Sequence, residues 1–355
     1  MIDTIAIIAR DRIERMTMLN ADTSFLLLEE GRKTEAAEIS THCGGGAINA
    51  GVAFARLGFS VATLVKLGLD ARAGLILERL ANEGISADLV LRDGRAPTGA
   101  SLIIGSHDRN AAIFTDRGTN ALLEPSDIRA EALAADVVYV ASLSNKSAES
   151  LPDIVAKAKA GGAIVAANPG VRQLSGRAET FKNSVRRLDI LIVNRHEADL
   201  LVPWLATEIG EGAATSPTSV DVEPPALMRR GLIGGGYEMS LTGAVRALIR
   251  LGLGCVVVTD GPRGSFLGTA EAIAFCPAID TVAVSTAGAG DAFGATFTSF
   301  WARERNADRA LRAATINAAS VVARIDTQSG LLSKEEMSKR MAAATELLSI
   351  KRWPL

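Results

Sequence analysis

The chain has 355 residues, 48% of them apolar and 22% charged, the make-up of a globular protein long enough to bury a core without disulfide or metal staples. Its 38 Lys and Arg against 40 Asp and Glu leave a net charge of −2, so neither nucleic acid nor an anionic membrane surface is an expected partner. Aromatic residues make up only 4%, which also argues against a stacking platform for single strands.

Short apolar runs alternate with helical patterns along the chain. A run at 5–8 is followed by extended-looking pieces at 25–28 and 38–41, with polar turns between them. The pattern predicts a helix over 47–57 that stops at Gly58, a strand over 61–65, and a helix over 71–83 that stops at Gly84. Segments 100–104 and 112–115 read as a strand pair. Continuous apolar runs at 137–140, 163–166, 190–193 and 255–258 are separated by helical segments such as 151–160 and 241–251. Strands that are apolar throughout are buried on both faces. The expectation is therefore an α/β fold with a mostly parallel central sheet flanked by helices, and ligands at the carboxyl ends of its strands. From Asp291 onward the pattern is mostly helical.

Residues 203–240 interrupt this rhythm. They hold Pro203, Pro217, Pro224, Pro225 and the run Gly234, Gly235, Gly236, and read as an insertion, either a loop or a lid. The glycines invite a phosphate-loop reading, but no strong strand precedes them and no Lys-Ser/Thr follows, so a surface loop is favoured. Cys43, Cys255 and Cys276 are an odd number, far apart, without a CxxC pair, and read as reduced thiols. His42, His107 and His196 form no spaced ligand set, so no zinc site is expected. The first residues lack a signal-peptide pattern and no apolar run approaches the ~20 residues that span a bilayer, so the expected location is the cytoplasm.

Two segments carry chemistry. The first is Gly288-Ala289-Gly290-Asp291-Ala292-Phe293-Gly294, entered from an apolar alternation at 281–284 and followed by a small-residue helix over 292–301. Glycines at a strand-to-helix turn let backbone N–H groups converge on an anion, and the helix end adds partial positive charge. A carboxylate in such a hole would repel a resting phosphate. It makes sense if Asp291 takes a proton from a hydroxyl attacking that phosphate. Asp291 as a helix N-cap and a GxGxxxG dinucleotide loop are the other readings of this segment. The second is Cys43-Gly44-Gly45-Gly46-Ala47-Ile48-Asn49, which opens a helix. Its glycines allow close approach of a polyhydroxy ligand, and the Asn49 amide can donate to one hydroxyl and accept from another. A tight turn with close helix–strand packing is the plainer reading.

Together these segments resemble the ribokinase (PfkB) family of carbohydrate kinases, over most of the chain from about Gly44 to Gly330. The first signature is Gly44-Gly45-Gly46-Ala47-Ile48-Asn49 with Ala55-Arg56-Leu57-Gly58. The second is Ser285-Thr286-Ala287-Gly288-Ala289-Gly290-Asp291-Ala292-Phe293, about 240 residues later. Between them, Asn194-Arg195-His196-Glu197 is similar to the family's Asn-x-x-Glu motif, and Thr259-Asp260-Gly261-Pro262-Arg263-Gly264 to its nucleotide loop.

The resemblance implies a single ribokinase-like domain over 1–355, with a small β lid from roughly 4–42 and 98–117. It implies transfer of the γ-phosphoryl group of ATP to a hydroxyl of a sugar or sugar derivative, with Mg²⁺. Asp291 would be the general base, and Gly288, Ala289 and Gly290 the anion hole. Asn194 and Glu197 would organise Mg²⁺ and the phosphates, Glu197 through water. Thr259, Gly261, Gly264 and Asn317 would lie along the nucleotide. Gly44, Gly45, Asn49 and an early Asp would hold the sugar. That Asp is Asp3, with Asp22 as competitor; the family's preceding first strand is not found upstream of Asp3, which would leave a sheet ladder unpaired. Ser285 replaces the family's cation-binding Asp, which puts potassium activation in doubt. A homodimer through the lid is expected from relatives. Arg109, Arg117 and Asn120 lie where relatives contact the acceptor, but solvated surface charge is the favoured reading for them. A nucleoside kinase, which would want an aromatic such as Phe25, Phe54 or Phe114 over the base, and a non-catalytic sensor are the alternatives.

Overall fold

The computed structural model describes residues 1–8, 14–17, 24–27, 31, 33–105, 111–176, 178–209, 223–344 and 348–355. The strands and helices in chain order begin with β1 (Ile2–Ile8), β2 (Glu14–Thr17), β3 (Ser24–Leu27), β4 (Ala36–Cys43), α1 (Gly46–Arg56), β5 (Val65–Leu67) and α2 (Ala71–Asn82). There follow β6 (Val90–Arg92), β7 (Thr98–Gly105), β8 (Ala111–Gly118), β9 (Val137–Val140), α3 (Leu151–Ala160), β10 (Ile164–Ala167), α4 (Val171–Gly176) and α5 (Ala178–Val185). Then come β11 (Ile190–Asn194), α6 (Arg195–Ile209), α7 (Ala226–Arg230), β12 (Leu232–Gly234), β13 (Tyr237–Met239), α8 (Leu241–Arg250) and β14 (Cys255–Thr259). The chain closes with β15 (Ser265–Gly268), β16 (Ala272–Cys276), α9 (Ala289–Glu304), α10 (Ala307–Val322), α11 (Lys334–Ala344) and β17 (Lys351–Pro354).

The main sheet has seven strands in the order β17-β16-β15-β14-β11-β10-β9. β9, β10, β11 and β14 run parallel, and β14 to β17 alternate antiparallel. Its strands are apolar throughout because both faces are covered. Leu191, Val193, Val256 and Val258 pack on one face, against Leu201, Leu205, Val245 and Leu248 of α6 and α8. Ile190, Ile192, Cys255 and Val257 pack on the other, against Phe293, Phe297, Leu311 and Ile316 of α9 and α10. This is the α/β sheet expected from the sequence, extended by an antiparallel half.

Three local expectations fail. The strand read over 61–65 is a lone bridge at Ala62 to Ser86, with only Val65 reaching β5. Segment 281–284 is not a strand: Val282 is 69% and Val284 44% exposed, so the apolar side of its alternation faces water. Residues 203–209 are the last turns of α6, with Pro203 inside the helix, and not the start of a connection. After residues 210–222, which fall outside the described residues, α7 packs against α8 and the β12–β13 hairpin packs back onto α6. Gly235 and Gly236 are the two central residues of that hairpin, at φ 57° and 84°, as a tight two-residue turn demands. The glycine run is thus turn chemistry and not a phosphate loop.

A second sheet of four strands, β4-β1-β7-β8, stands apart from the first. β1 is antiparallel to β4 and parallel to β7. On one face Asp3, Ile5, Ser101 and Ile103 are buried, while Ile39, Leu102 and Phe114 on the other are 69%, 43% and 58% exposed. A cavity of about 750 Å³ lies between this sheet, α1 and the outer edge of β9, and reaches the segment 60–67. Among the described residues no strand pairs with β9 on that outer side.

Candidate active site

The site is built where α9 begins. Gly288 caps the helix in a left-handed conformation, φ 77°, and a Cβ there would stand 2.6 Å from Thr327 Cβ. Only glycine fits both constraints. Ala289 N–H makes a long bond of 3.4 Å to Thr286 O, and Ala292 N–H closes the first helical bond to Gly288 O at 2.9 Å. The N–H groups of Gly290 and Asp291 lie in the first turn, where no helical carbonyl is available to them. Of the expected donors, Ala289 N–H is the one taken up within the turn, while those of Gly288 and Gly290, joined by Asp291, have no backbone acceptor among the described residues. Asp291 is the third residue of the helix and not its N-cap.

The Asp291 carboxylate has two unlike oxygens. Oδ2 accepts from Asn49 Nδ2 at 2.8 Å. Oδ1 lies on the Gly46 side, where an added Cβ would come within 3.1 Å of it. Asn49 Oδ1 accepts from both Thr327 Oγ1 and Gln328 Nε2, each at 2.9 Å. The acceptor half of the amide is thereby filled, so Asn49 does not accept from a ligand hydroxyl as the sequence suggested. It holds the Asp291 carboxylate in orientation. Thr327 and Gln328 were missed because no pattern in their loop points to residue 49.

Asp3 sits opposite, buried on β1. A Cβ on Gly44 would fall 1.8 Å from Asp3 Oδ2, so this glycine exists to admit the carboxylate. Gly45, at φ 95°, turns the chain past Met1 into α1. Asp22 lies outside the described residues. Burial raises the Asp3 pKa, against the N-terminal ammonium, the Ser101 hydroxyl and His42. Burial also raises that of Asp291, opposed by the Asn49 bond and reinforced by the charge of Asp3. Glu197 is raised by burial too, with the charge of Asp291 adding to it. The three carboxylates therefore share one electrostatic environment.

Asn194 and Glu197 form a reciprocal cap at the start of α6: each backbone N–H donates to the other's side chain at 2.9 Å. The cap uses Glu197 Oε2 and leaves Oε1 without a donor among the described residues. Asn194 pairs with Thr259 across the parallel ladder, which sets both at the carboxyl ends of their strands. After Thr259, buried Asp260 accepts from Arg263 Nε and Nη2 at 2.8 and 2.7 Å and shapes the turn. Gly261 faces open space, whereas a Cβ on Gly264 would strike Cys276 O at 2.5 Å. Gly264 is a packing glycine. Asn317 is a correction: it is fully buried, donating to Thr296 Oγ1 at 2.7 Å and accepting from Leu332 N–H at 3.0 Å, so its side chain lies in the core and reaches no open surface where a nucleotide could meet it. Ser285 Oγ accepts from Ala287 N at 3.2 Å within its own turn.

Among the described residues no three His, Cys, Asp or Glu converge as a metal-ligand set. A single carboxylate with one free oxygen, as in Glu197, suits Mg²⁺ that keeps most of its waters and takes its other ligands from phosphate.

A sequence profile of the pfkB family carbohydrate kinases matches residues 13–214 and 238–334. The chain belongs to this family. Among PfkB relatives, the deoxyribokinase of Salmonella typhi is 26% identical over 340 residues, covering 95% of this chain and 98% of its own. The ribokinase of Staphylococcus aureus is 24% identical over 261 residues, 72% of this chain and 73% of its own. The structure of Arabidopsis thaliana ribokinase complexed with ribose and ATP superimposes with a TM-score of 0.69 at 21% identity, over 95% of each chain. The nucleoside kinase of Burkholderia thailandensis in complex with inosine gives 0.69 at 15% identity, over 97% of this chain and 94% of its own. The fold is the ribokinase fold.

Proposed function

We propose that this PfkB kinase transfers the γ-phosphoryl group of ATP to a hydroxyl of a sugar or sugar derivative, with Asp291 as general base. The observation that carries the reading is the asymmetry of the Asp291 carboxylate: one oxygen is clamped by Asn49, and the other lies beside Gly46, a residue that lines the cavity. A base held in this way takes the hydroxyl proton as the oxygen attacks phosphorus. The first-turn N–H groups of α9 stand where charge builds on the transferred group. Asp3 and Ser101 would bind acceptor hydroxyls. Glu197 would hold Mg²⁺ through water at the carboxyl ends of β11 and β14, and when bound the ion neutralises phosphate charge. ATP and Mg²⁺ are supported by a putative ribokinase II from E. coli in complex with both, which shares the fold with a TM-score of 0.69.

The four-stranded sheet would act as the lid that excludes water, and its exposed Ile39, Leu102 and Phe114 would form the contact of a homodimer. A sugar suits the site better than a nucleoside. Phe54 lines the cavity but is tied edge-on to Phe59 and Tyr139, Phe114 faces away, and the Phe25 side chain lies outside the described residues. Three unpaired cysteines suit a reducing, cytoplasmic setting, and among the described residues no helix is long and apolar enough to cross a membrane.

The test is ADP release over a panel of sugars, sugar acids and nucleosides, for the native protein and Asp291→Asn. The variant is expected to lose about 10²–10⁴-fold in kcat while ATP still binds. Near-normal turnover by Asp291→Asn would overturn the assignment.

A further inference from the structure

Arg117 ends β8 on the same face of the small sheet as Asp3. Asp3 pairs with Ser101, Ser101 pairs with Thr115, and Arg117 follows two residues on, so its side chain leaves the same side of the strand. It lines the cavity together with Asn120, Ser142 and Ser144, and the same cavity reaches Gly45 and Gly46 beside Asp291. The guanidinium was expected to be a solvated surface charge. It is only partly that: Arg117 is half-buried, and its Nε is buried with no hydrogen-bond partner. Neither Arg117 nor Arg172 has a carboxylate within salt-bridge distance among the described residues. The charge Arg117 does feel is that of Arg172, another cation, at the start of α4.

The rest of the molecule treats such groups differently. Lys66 is buried, and it meets Asp127, Asp93 and the carbonyl of Leu122. Arg56 is engaged by Glu83 and by the carbonyls of Gln328 and Leu331. Arg117 Nε is the one cationic side-chain nitrogen among the described residues that is buried without a partner. A cationic nitrogen stripped of water needs a counter-charge, and no acid among the described residues supplies one at Arg117, which leaves a place for an anion. The planar N–H fork of a guanidinium matches a carboxylate or a phosphate.

We propose that the acceptor carries an anionic group, a carboxylate or a phosphate, that Arg117 holds in this cavity, with the charge of Arg172 adding to the attraction, while its hydroxyl is presented to Asp291. The proposal rests on the kinase reading for the hydroxyl and on the two arginines for the anion.

The experiment compares ribose, ribonate and ribose 5-phosphate as acceptors in ADP release, and measures binding of each by calorimetry in parallel. The variants are Arg117→Ala and Arg172→Ala, the second at an exposed position where folding is not at stake. An acidic acceptor is expected to exceed ribose about tenfold or more in kcat/KM. Each variant is expected to cost the acidic acceptor at least about tenfold more than ribose, mainly in KM. Ribonate against ribose 5-phosphate separates a carboxylate site from a phosphate site. Equal losses on neutral and acidic acceptors, or a native preference for ribose, overturn the proposal. If no acceptor is turned over, binding of an acid that disappears in Arg117→Ala supports the anion site and sinks the kinase reading. Absence of binding by either acid sinks the anion site itself.

Discussion

Asn49 donates to Asp291 across 242 residues of sequence, at 2.8 Å, and its own orientation is set by Thr327 and Gln328 on the far side. The pair joins the two glycine-rich segments into one device. The first helix turn of α1 aims the carboxylate that the first turn of α9 carries. Asp3 then adds a second carboxylate whose charge acts on the first.

The acid limb of the pH–kcat/KM profile should move in opposite directions in two variants. The Asn49 hydrogen bond lowers the Asp291 pKa, so Asn49→Ala should raise it and carry the limb to higher pH. The charge of Asp3 raises that pKa, so Asp3→Asn should lower it and carry the limb to lower pH. Both variants will also lose rate, so the position of the limb is what decides. Two profiles that coincide with the native one would show that the acid limb does not belong to Asp291.

Gln328→Ala and Thr327→Val remove the two donors that hold Asn49 Oδ1. The amide is then free to rotate, and the base loses its fixed aim. A loss of about tenfold or more in kcat is expected, because small misalignments of a catalytic group are costly. KM for ATP should stay near native, since neither side chain faces the carboxyl ends of β11 and β14. A rise in KM for ATP with unchanged kcat would place these residues elsewhere in the reaction.

Gly288 and Gly290 should respond differently to alanine. At Gly288 the φ of 77° and the 2.6 Å approach to Thr327 Cβ act together, and a loss of about 1–3 kcal/mol in unfolding free energy is expected. At Gly290 an added Cβ meets nothing within 4 Å. Folding should be unharmed or gain up to about 1 kcal/mol from helix propensity. Activity should still fall, because the methyl crowds the free N–H groups that would face the transferred phosphoryl in the proposed reaction. Thermal melts beside initial rates separate the two effects.

The central sheet was readable because β11 and β14 are buried on both faces, and unbroken apolar runs admit few other readings. The 281–284 alternation misled because exposed valines imitate a half-buried strand. β17 carried no signal at all: it is an edge strand holding Lys351, Arg352 and Pro354, with only Trp353 buried. In the site, Gly288 and Asp291 were legible from composition, since glycines at a helix start have few structural excuses. Asn194 and Glu197 were legible as a motif, but the spacing is also what a capping box requires. Asn317 was misread because a buried Asn and a ligand-facing Asn look alike in sequence. Arg117 was misread because exposure is a property of the fold and not of the residue. Thr327 and Gln328 act only through a contact that the sequence does not declare.

The outer edge of β9 gives the last prediction. Ile164 N–H bonds Asp136 O and Asn168 N–H bonds Val140 O, both at 2.9 Å, so the groups of residues 136 and 140 point toward β10. In a parallel ladder the alternate residues point the other way. The N–H groups of Val137 and Tyr139 therefore face the cavity, where no strand among the described residues receives them. Hydrogen exchange at these two amides should be fast, although β9 belongs to the main sheet. Ile192 and Val257 lie on interior strands and should exchange only in rare openings. Protection at Val137 and Tyr139 equal to that at Val257 would mean that another chain segment pairs with β9 in solution.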